Sequence, residues 1–227
     1  NMSGRLNLKT IDHQGAGRVS LKNVHTKDLI VTSSGSGELN LNGDIVLQSI
    51  AHEGAGHITI KDINSPAVTL KNSGAGRVSL SGKRVGLTRL EQTGSGAVSV
   101  ANIKSGRVVV HAKGKGDTHL SGDAVGLQEL HHDGAGAVQI SGLQTPELSI
   151  HANGKGPINL VGEATLHHLE QNGSSAINLH WVRGDSVRID AAGSGRIRLA
   201  GNIKTLYADL NDRVSLDAKQ LRSDSVF

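Results

Sequence analysis

The sequence contains no cysteine, three prolines and one methionine, and its only aromatic residues are Trp181, Tyr207 and Phe227. Without cysteine, disulfide frameworks and zinc–thiolate sites are excluded. With so few rings, the core must be built from Leu, Ile, Val and Ala, which favours many thin layers over one thick core. No run of 18 apolar residues occurs, so no transmembrane segment is expected in this chain. Asn1 to Lys9 lack the charged, apolar and small-residue regions of a signal peptide, and the compartment is not read from them. Charge of one sign is also in short supply: 24 Lys plus Arg against 20 Asp plus Glu leave +4 with His neutral, too mild an excess to imply nucleic acid as a partner.

What the chain does have is glycine, 30 of them in 227 residues, and most are placed by a repeat. A Gly-x-Gly triplet begins at Gly15, Gly35, Gly54, Gly74, Gly94, Gly114, Gly134 and Gly154, degrades to Gly173-Ser174-Ser175, and returns at Gly193, a period of 19 or 20 residues. Four and six positions after the first Gly stand two apolar columns, such as Val78 and Leu80 or Val98 and Val100, with Ser79 or Ser99 between them. That alternation is the signature of a strand with one buried face. A third apolar column, including Leu90, Val110, Leu130 and Ile150, precedes each triplet by four residues. Eight positions after the first Gly, the residue is usually Gly or Asn, as at Asn23, Gly43, Gly82 and Asn102, the types that tolerate a left-handed corner. The next position alternates between apolar (Val24, Ile63, Ile103) and polar (Asp44, Lys83, Asp123), which adds a 40-residue superperiod and predicts coils of slightly different cross-section.

Glycine and β-branched residues recur too often for a stable helix of 12 or more residues. The Leu-x-x-Leu-x-Leu frame of leucine-rich repeats, the Asp of calcium-binding nonapeptides and the strict every-third Gly of collagen are all missing. The expected fold is all-β, a right-handed parallel β-helix (β-solenoid) of about ten coils, roughly 50 Å long. Residues 1–210 form a single β-solenoid domain, beginning with a partial coil over 1–14 in which Ser3 to Leu8 imitate a strand, and residues 211–227 are a capping segment for the last edge.

The run Gly74-Ala75-Gly76-Arg77-Val78-Ser79-Leu80-Ser81-Gly82 and its repeats from Gly15 to Leu210 resemble the head GIN domain of auto-transporter adhesins. The resemblance implies a bacterial, extracytoplasmic β-helix, secreted, periplasmic or at the cell surface, and brings no catalytic residues with it.

The triplets lack the third Gly, the Gly-Lys-Ser/Thr and the helix of a phosphate loop, so no nucleotide is expected, and they are read as corners where a side chain would clash with the next coil. Three residues before the triplets run Glu91, His111, His131, His151, Glu170 and Asp190, a column turned outward because its neighbours are apolar. On adjacent strands, His111, His131 and His151 stand about 5 Å apart and can converge on a zinc, nickel or copper ion with Glu91 or Glu170 as end ligand. The plain alternative is a stack of surface imidazoles with no cofactor. His132 should face the opposite way, and the pair His167-His168 lies off the column. Asp117 and Asp123 share a coil, Ser34, Ser65 and Ser73 read as turn residues, and no insertion stretches the period to make a cleft, so catalysis is not expected. Trp181 occupies a corner position and is read as an exposed platform or a patch over the coil next to Ser175, with the patch favoured.

The reading these features favour is a noncatalytic interaction module binding a glycan or a matrix or surface protein on one flat face. A structural spacer or homo-oligomerising element is the alternative, and a polysaccharide-active enzyme comes third.

Overall fold

In a parallel β-solenoid each repeat must hydrogen-bond to the repeats before and after it, and the computed structural model has this arrangement. It describes residues 2–6 and 8–227. Asn1 and Asn7, both within the segment expected as a partial coil, lie outside them. The strands are β1 (Met2–Leu6), β2 (Thr10–His13), β3 (Val19–Ser33), β4 (Leu39–His52), β5 (Ile58–Asn72), β6 (Val78–Gln92), β7 (Val98–Ala112), β8 (Thr118–His132), β9 (Val138–Ala152), β10 (Ile158–Gln171), β11 (Ala176–Ala191), β12 (Arg196–Leu210) and β13 (Ser215–Val226). All pair in parallel, in sequence order, in one sheet. Strands β1 and β2 together make an incomplete rung beneath the two halves of β3. No helix is found among the described residues.

Each of β3 to β12 is one full rung that runs around the coil, bent at a corner and closed by the Gly-x-Gly turn, or by Gly173-Ser174-Ser175 after β10 and Asn211-Asp212-Arg213 after β12. The corner is where the spacing places it: Asn23, Asp62, Asn102 and Trp181 have φ between 56° and 64°, and Gly142 has φ 76°. The triplets need glycine for a different reason, close approach. A Cβ on Gly96 would lie 1.9 Å from the Gly76 carbonyl oxygen, and one on Gly134 would lie 2.2 Å from that of Gly114.

The three apolar columns stack into a continuous core, from Val31, Leu39 and Leu41 through Leu130, Val138 and Ile140 to Ile197 and Leu199, all at most 2 % exposed. A fourth column, Leu29, Leu47, Val68, Leu87, Val108, Leu127, Leu148, Leu166, Val187 and Leu206, is buried as deeply. The 40-residue superperiod has a geometric cause. After the corner, Val24, Ile63, Ile103 and Leu143 enter the core directly, whereas in alternate rungs the chain takes one or two extra residues and Ile45, Val85 and Val125 fill the same slot. The pairs Val85 with Ile103 and Val125 with Leu143 mark these register shifts. The core stays apolar while the polar residues bulge outward.

The segment 211–227, expected as a cap, lies on the edge of β12 as β13, a further rung in the same parallel register. Two expectations need correction. Ser65 is not a turn residue: it lies fully buried on β5, and its hydroxyl accepts the Leu47 N–H at 2.7 Å. Trp181 is 61 % exposed, too open to patch the core.

Candidate functional site

Alternation along each rung sends residues two apart to the same face. On the segment before the triplet, this pairs the outward column Glu91, His111, His131, His151, Glu170 and Asp190 with a second one two residues earlier: Arg89, Val109, Glu129, Ser149, His168 and Arg188. Parallel pairing then stacks the rungs, with Glu91 opposite His111, His111 opposite His131 and His131 opposite His151.

The result is a ladder of imidazoles edged by carboxylates. The rings of His111 and His131 lie 4.8 Å apart, tilted by 41°. Those of His131 and His151 are also 4.8 Å apart and nearly coplanar in orientation, at 9°. His168 joins the end of the row, its ring 5.9 Å from that of His151 and edge-on to it. It lies off the His111, His131 and His151 column, in the companion column one step along the same face. Each of three imidazoles has its own acid. His131 Nε2 is 2.5 Å from Glu129 Oε1, His151 Nδ1 is 3.0 Å from Glu170 Oε2, and His168 Nε2 is 2.9 Å from Asp190 Oδ2. Arginines close both ends, Arg89 on Glu91 at 2.8 Å and Arg188 on Asp190 at 2.7 Å.

The electrostatics follow from these contacts. The hydrogen bond from His131 holds the Glu129 carboxyl below the ordinary carboxylate range. Hydrogen bonds from His151 and Asn172 do the same for Glu170. Partial burial, then the neighbouring His131, lowers the pKa of His111. Glu91 is held low chiefly by its bond to Arg89.

Of the residues expected to hold a metal, the structure brings His131 and His151 together with Glu129, whose ligand atoms all lie within 4.8 Å of one another. Glu91 is engaged by Arg89, and Glu170 braces His151. Glu129 was missed by the sequence reading, although its place two residues before His131 puts it on the same face.

The opposite side of the same segment holds a second polar file. His132, as expected, turns inward and is fully buried, and its Nε2–H donates to the Gly136 carbonyl at 2.9 Å. The same position in other rungs carries His13, Ser33, His52, Asn72, Gln92 and Gln171. His13 and Gln171 likewise donate to the carbonyl four residues ahead, at 3.0 and 2.8 Å, and Gln92 makes the corresponding bond to Gly96. These side chains satisfy the turn from beneath.

The remaining candidates are ordinary surface. Asp117 accepts the Ala137 N–H at 2.8 Å, and Asp123 pairs with Lys104 at 3.2 Å. A depression of about 760 Å³ lies on β10 to β13 away from the ladder. Two of its cations are already paired, Arg183 with Glu163 at 2.9 Å and Lys204 with Asp185 at 2.7 Å.

A family model described as "Putative auto-transporter adhesin, head GIN domain" matches residues 2–84, 84–167 and 161–226. The chain belongs to this family. Three consecutive matches to a head GIN domain cover nearly every rung, so the family pattern and the coil repeat are the same feature seen twice. No curated protein and no solved structure matches the chain significantly. The head GIN family and the solenoid fit an extracytoplasmic interaction module, and no helix among the described residues is long and apolar enough to cross a membrane.

Proposed function

We propose that this head GIN domain is a noncatalytic, extracytoplasmic interaction module that binds an extended partner, a glycan or a matrix or surface protein, along a flat outward face of the rod. The observation that carries this reading is the strip formed after each triplet by one polar side chain per rung, mostly short (Asn40, Thr59, Ser79, Ser99, Gln139, Asn159 and Asn178), with His119 on β8 and Arg198 on β12 in the same column. Over the middle rungs the small residues Ser81, Ala101, Ser121 and Ser141 flank it two residues on. The amides already form cross-rung bonds, with Asn178 Nδ2 donating to Asn159 Oδ1 at 2.7 Å. A strip rich in hydroxyls and amides at the spacing of one rung, about 4.8 Å, presents many weak polar contacts to a repetitive polymer, where avidity does the binding. The even period supports the absence of catalysis, since no rung among the described residues extrudes a loop to wall a cleft.

The test is an array of bacterial and host glycans and matrix proteins probed with the domain at physiological salt. Saturable binding that Ser99→Arg and Asn159→Arg both abolish is the expected result. Binding that survives both substitutions refutes the face, and silence across the array favours a spacer or oligomerising rod, to be followed by light scattering.

A further inference from the structure

We propose that Glu129, His131 and His151 form a binding site for one borderline divalent transition cation, of the zinc and copper class, on the outer face of β8 and β9. The inference stands on the ladder's geometry and is independent of the interaction reading above.

Two imidazole nitrogens and one carboxylate oxygen are a donor set that such ions favour over calcium or magnesium, which take oxygen. The rungs supply the spacing. His131 and His151 are direct partners in the parallel register, so their rings stack at 4.8 Å with only 9° between planes, and both reach the same side. Glu129 comes from two residues before His131 and already touches Nε2 of that ring at 2.5 Å. The proton shared across that contact is what the cation replaces. Donors need to sit about 2.0–2.2 Å from the ion, so the three ligand atoms, now within 4.8 Å of one another, must draw in slightly. They are free to do so: the side chains of Glu129, His131 and His151 are 44 %, 30 % and 29 % exposed. The backbone beneath them is held by the rung bonds and need not move.

Glu170 has a different task from the end ligand first expected. Its carboxylate accepts from His151 Nδ1 at 3.0 Å, which fixes the tautomer with the proton on Nδ1 and leaves Nε2 as the free donor. That is the outer-shell brace common to metal-bound histidines, and Asn172 steadies Glu170 in turn at 2.7 Å. Glu170 is therefore a positioning residue. His111, whose ring lies 4.8 Å on the far side of His131, is the nearest further imidazole, and solvent fills the open coordination position.

The experiment titrates chelator-stripped protein with zinc chloride at neutral pH in competition with a chromogenic zinc indicator, and repeats it with cobalt(II) to read the visible ligand-field bands. One equivalent per chain is expected, with cobalt bands of a four-coordinate nitrogen and oxygen site. His131→Ala, His151→Ala and Glu129→Gln should each weaken binding at least about tenfold and remove the bands. Glu170→Gln should weaken it less and leave the bands in place. His119→Ala, on the other outward strip, should change nothing. The ligand side chains are partly exposed, so the metal-free variants should still unfold in urea in one transition, with midpoints close to the parent's, which separates loss of a ligand from loss of the fold. Absence of stoichiometric zinc binding overturns the proposal, as does binding that His131→Ala and His151→Ala leave unchanged.

Discussion

Replacing Gly114 by Ala isolates the requirement that builds the rod, the close approach of one triplet to the next. The added Cβ would sit 2.1 Å from the Gly94 carbonyl oxygen and 2.7 Å from the Thr93 carbonyl carbon, both backbone atoms with no rotamer to yield. Backing out to the 3.0 Å that real Cβ contacts respect requires a local separation of about 0.9 Å between rungs. The Gly94 carbonyl accepts both Lys115 N–H and Gly116 N–H at 3.1 Å, so a shift of that size takes both beyond hydrogen-bonding distance. Two bonds at about 1 kcal/mol each, plus about 1–2 kcal/mol for the carbonyl left buried and unpaired, give about 3–4 kcal/mol. The control is built into the molecule: a Cβ on Gly17 or Gly106 would meet nothing within 4 Å, although Gly17 belongs to the same kind of triplet. Urea unfolding followed by circular dichroism should show Gly114→Ala destabilised by that amount, and Gly17→Ala and Gly106→Ala within about 0.5 kcal/mol of the parent. Equal effects at all three positions would refute the close-packing argument and leave only the glycine backbone to explain the triplet.

Other outcomes follow from the same structure. Val138→Asp places a charge in a column only 1 % exposed and should cost about 4 kcal/mol in the same urea assay; an unchanged midpoint would reverse the inward assignment. Trp181→Gly should stabilise by about 1 kcal/mol, because a bulky residue at φ 64° is strained and a side chain 61 % exposed returns little; a loss of stability would mean the indole packs usefully. Acid should weaken the fold in two stages. Burial lowers the pKa of His52 and His111, so the unfolded chain takes up protons first and stability falls as pH drops below about 6.5. Glu129 and Glu170, held low in the folded state, add a second loss as pH falls below the ordinary carboxylate range and they protonate. Thermal melts across neutral to acidic pH would show this, and a flat profile would contradict it.

The rungs were legible because their requirements are strict and repeated. A missing Cβ at Gly94 or Gly114, an apolar side chain at Val98 or Leu130 and a left-handed corner at Asn102 each admit few residue types, so the columns line up on the page. The inward file under the triplets was hidden by the opposite circumstance. His13, Asn72, Gln92 and Gln171 share only an N–H of the right reach, and Ala112 or Ala152 can take the same place when a neighbouring rung supplies the bulk. The superperiod was visible, but its cause was not, since Val85 and Val125 reach their slot two residues late through a bulge that only cross-strand register reveals. At the candidate site, the column of His111, His131 and His151 came from spacing alone. Glu129 and His168 needed the second outward column, a contact between residues two apart on one rung and neighbours across the next, which a single aligned column does not display.

The direction of the backbone hydrogen bonds has a mechanical meaning. They run along the rod from one rung to the next, so tension between the first and last rungs pulls in line with them and peels the sheet open at its edge instead of shearing it. Each rung released frees one repeat of chain, about 65–70 Å of contour length. A domain of this build pays out in near-equal steps under load, lengthening gradually while the rungs not yet reached stay folded.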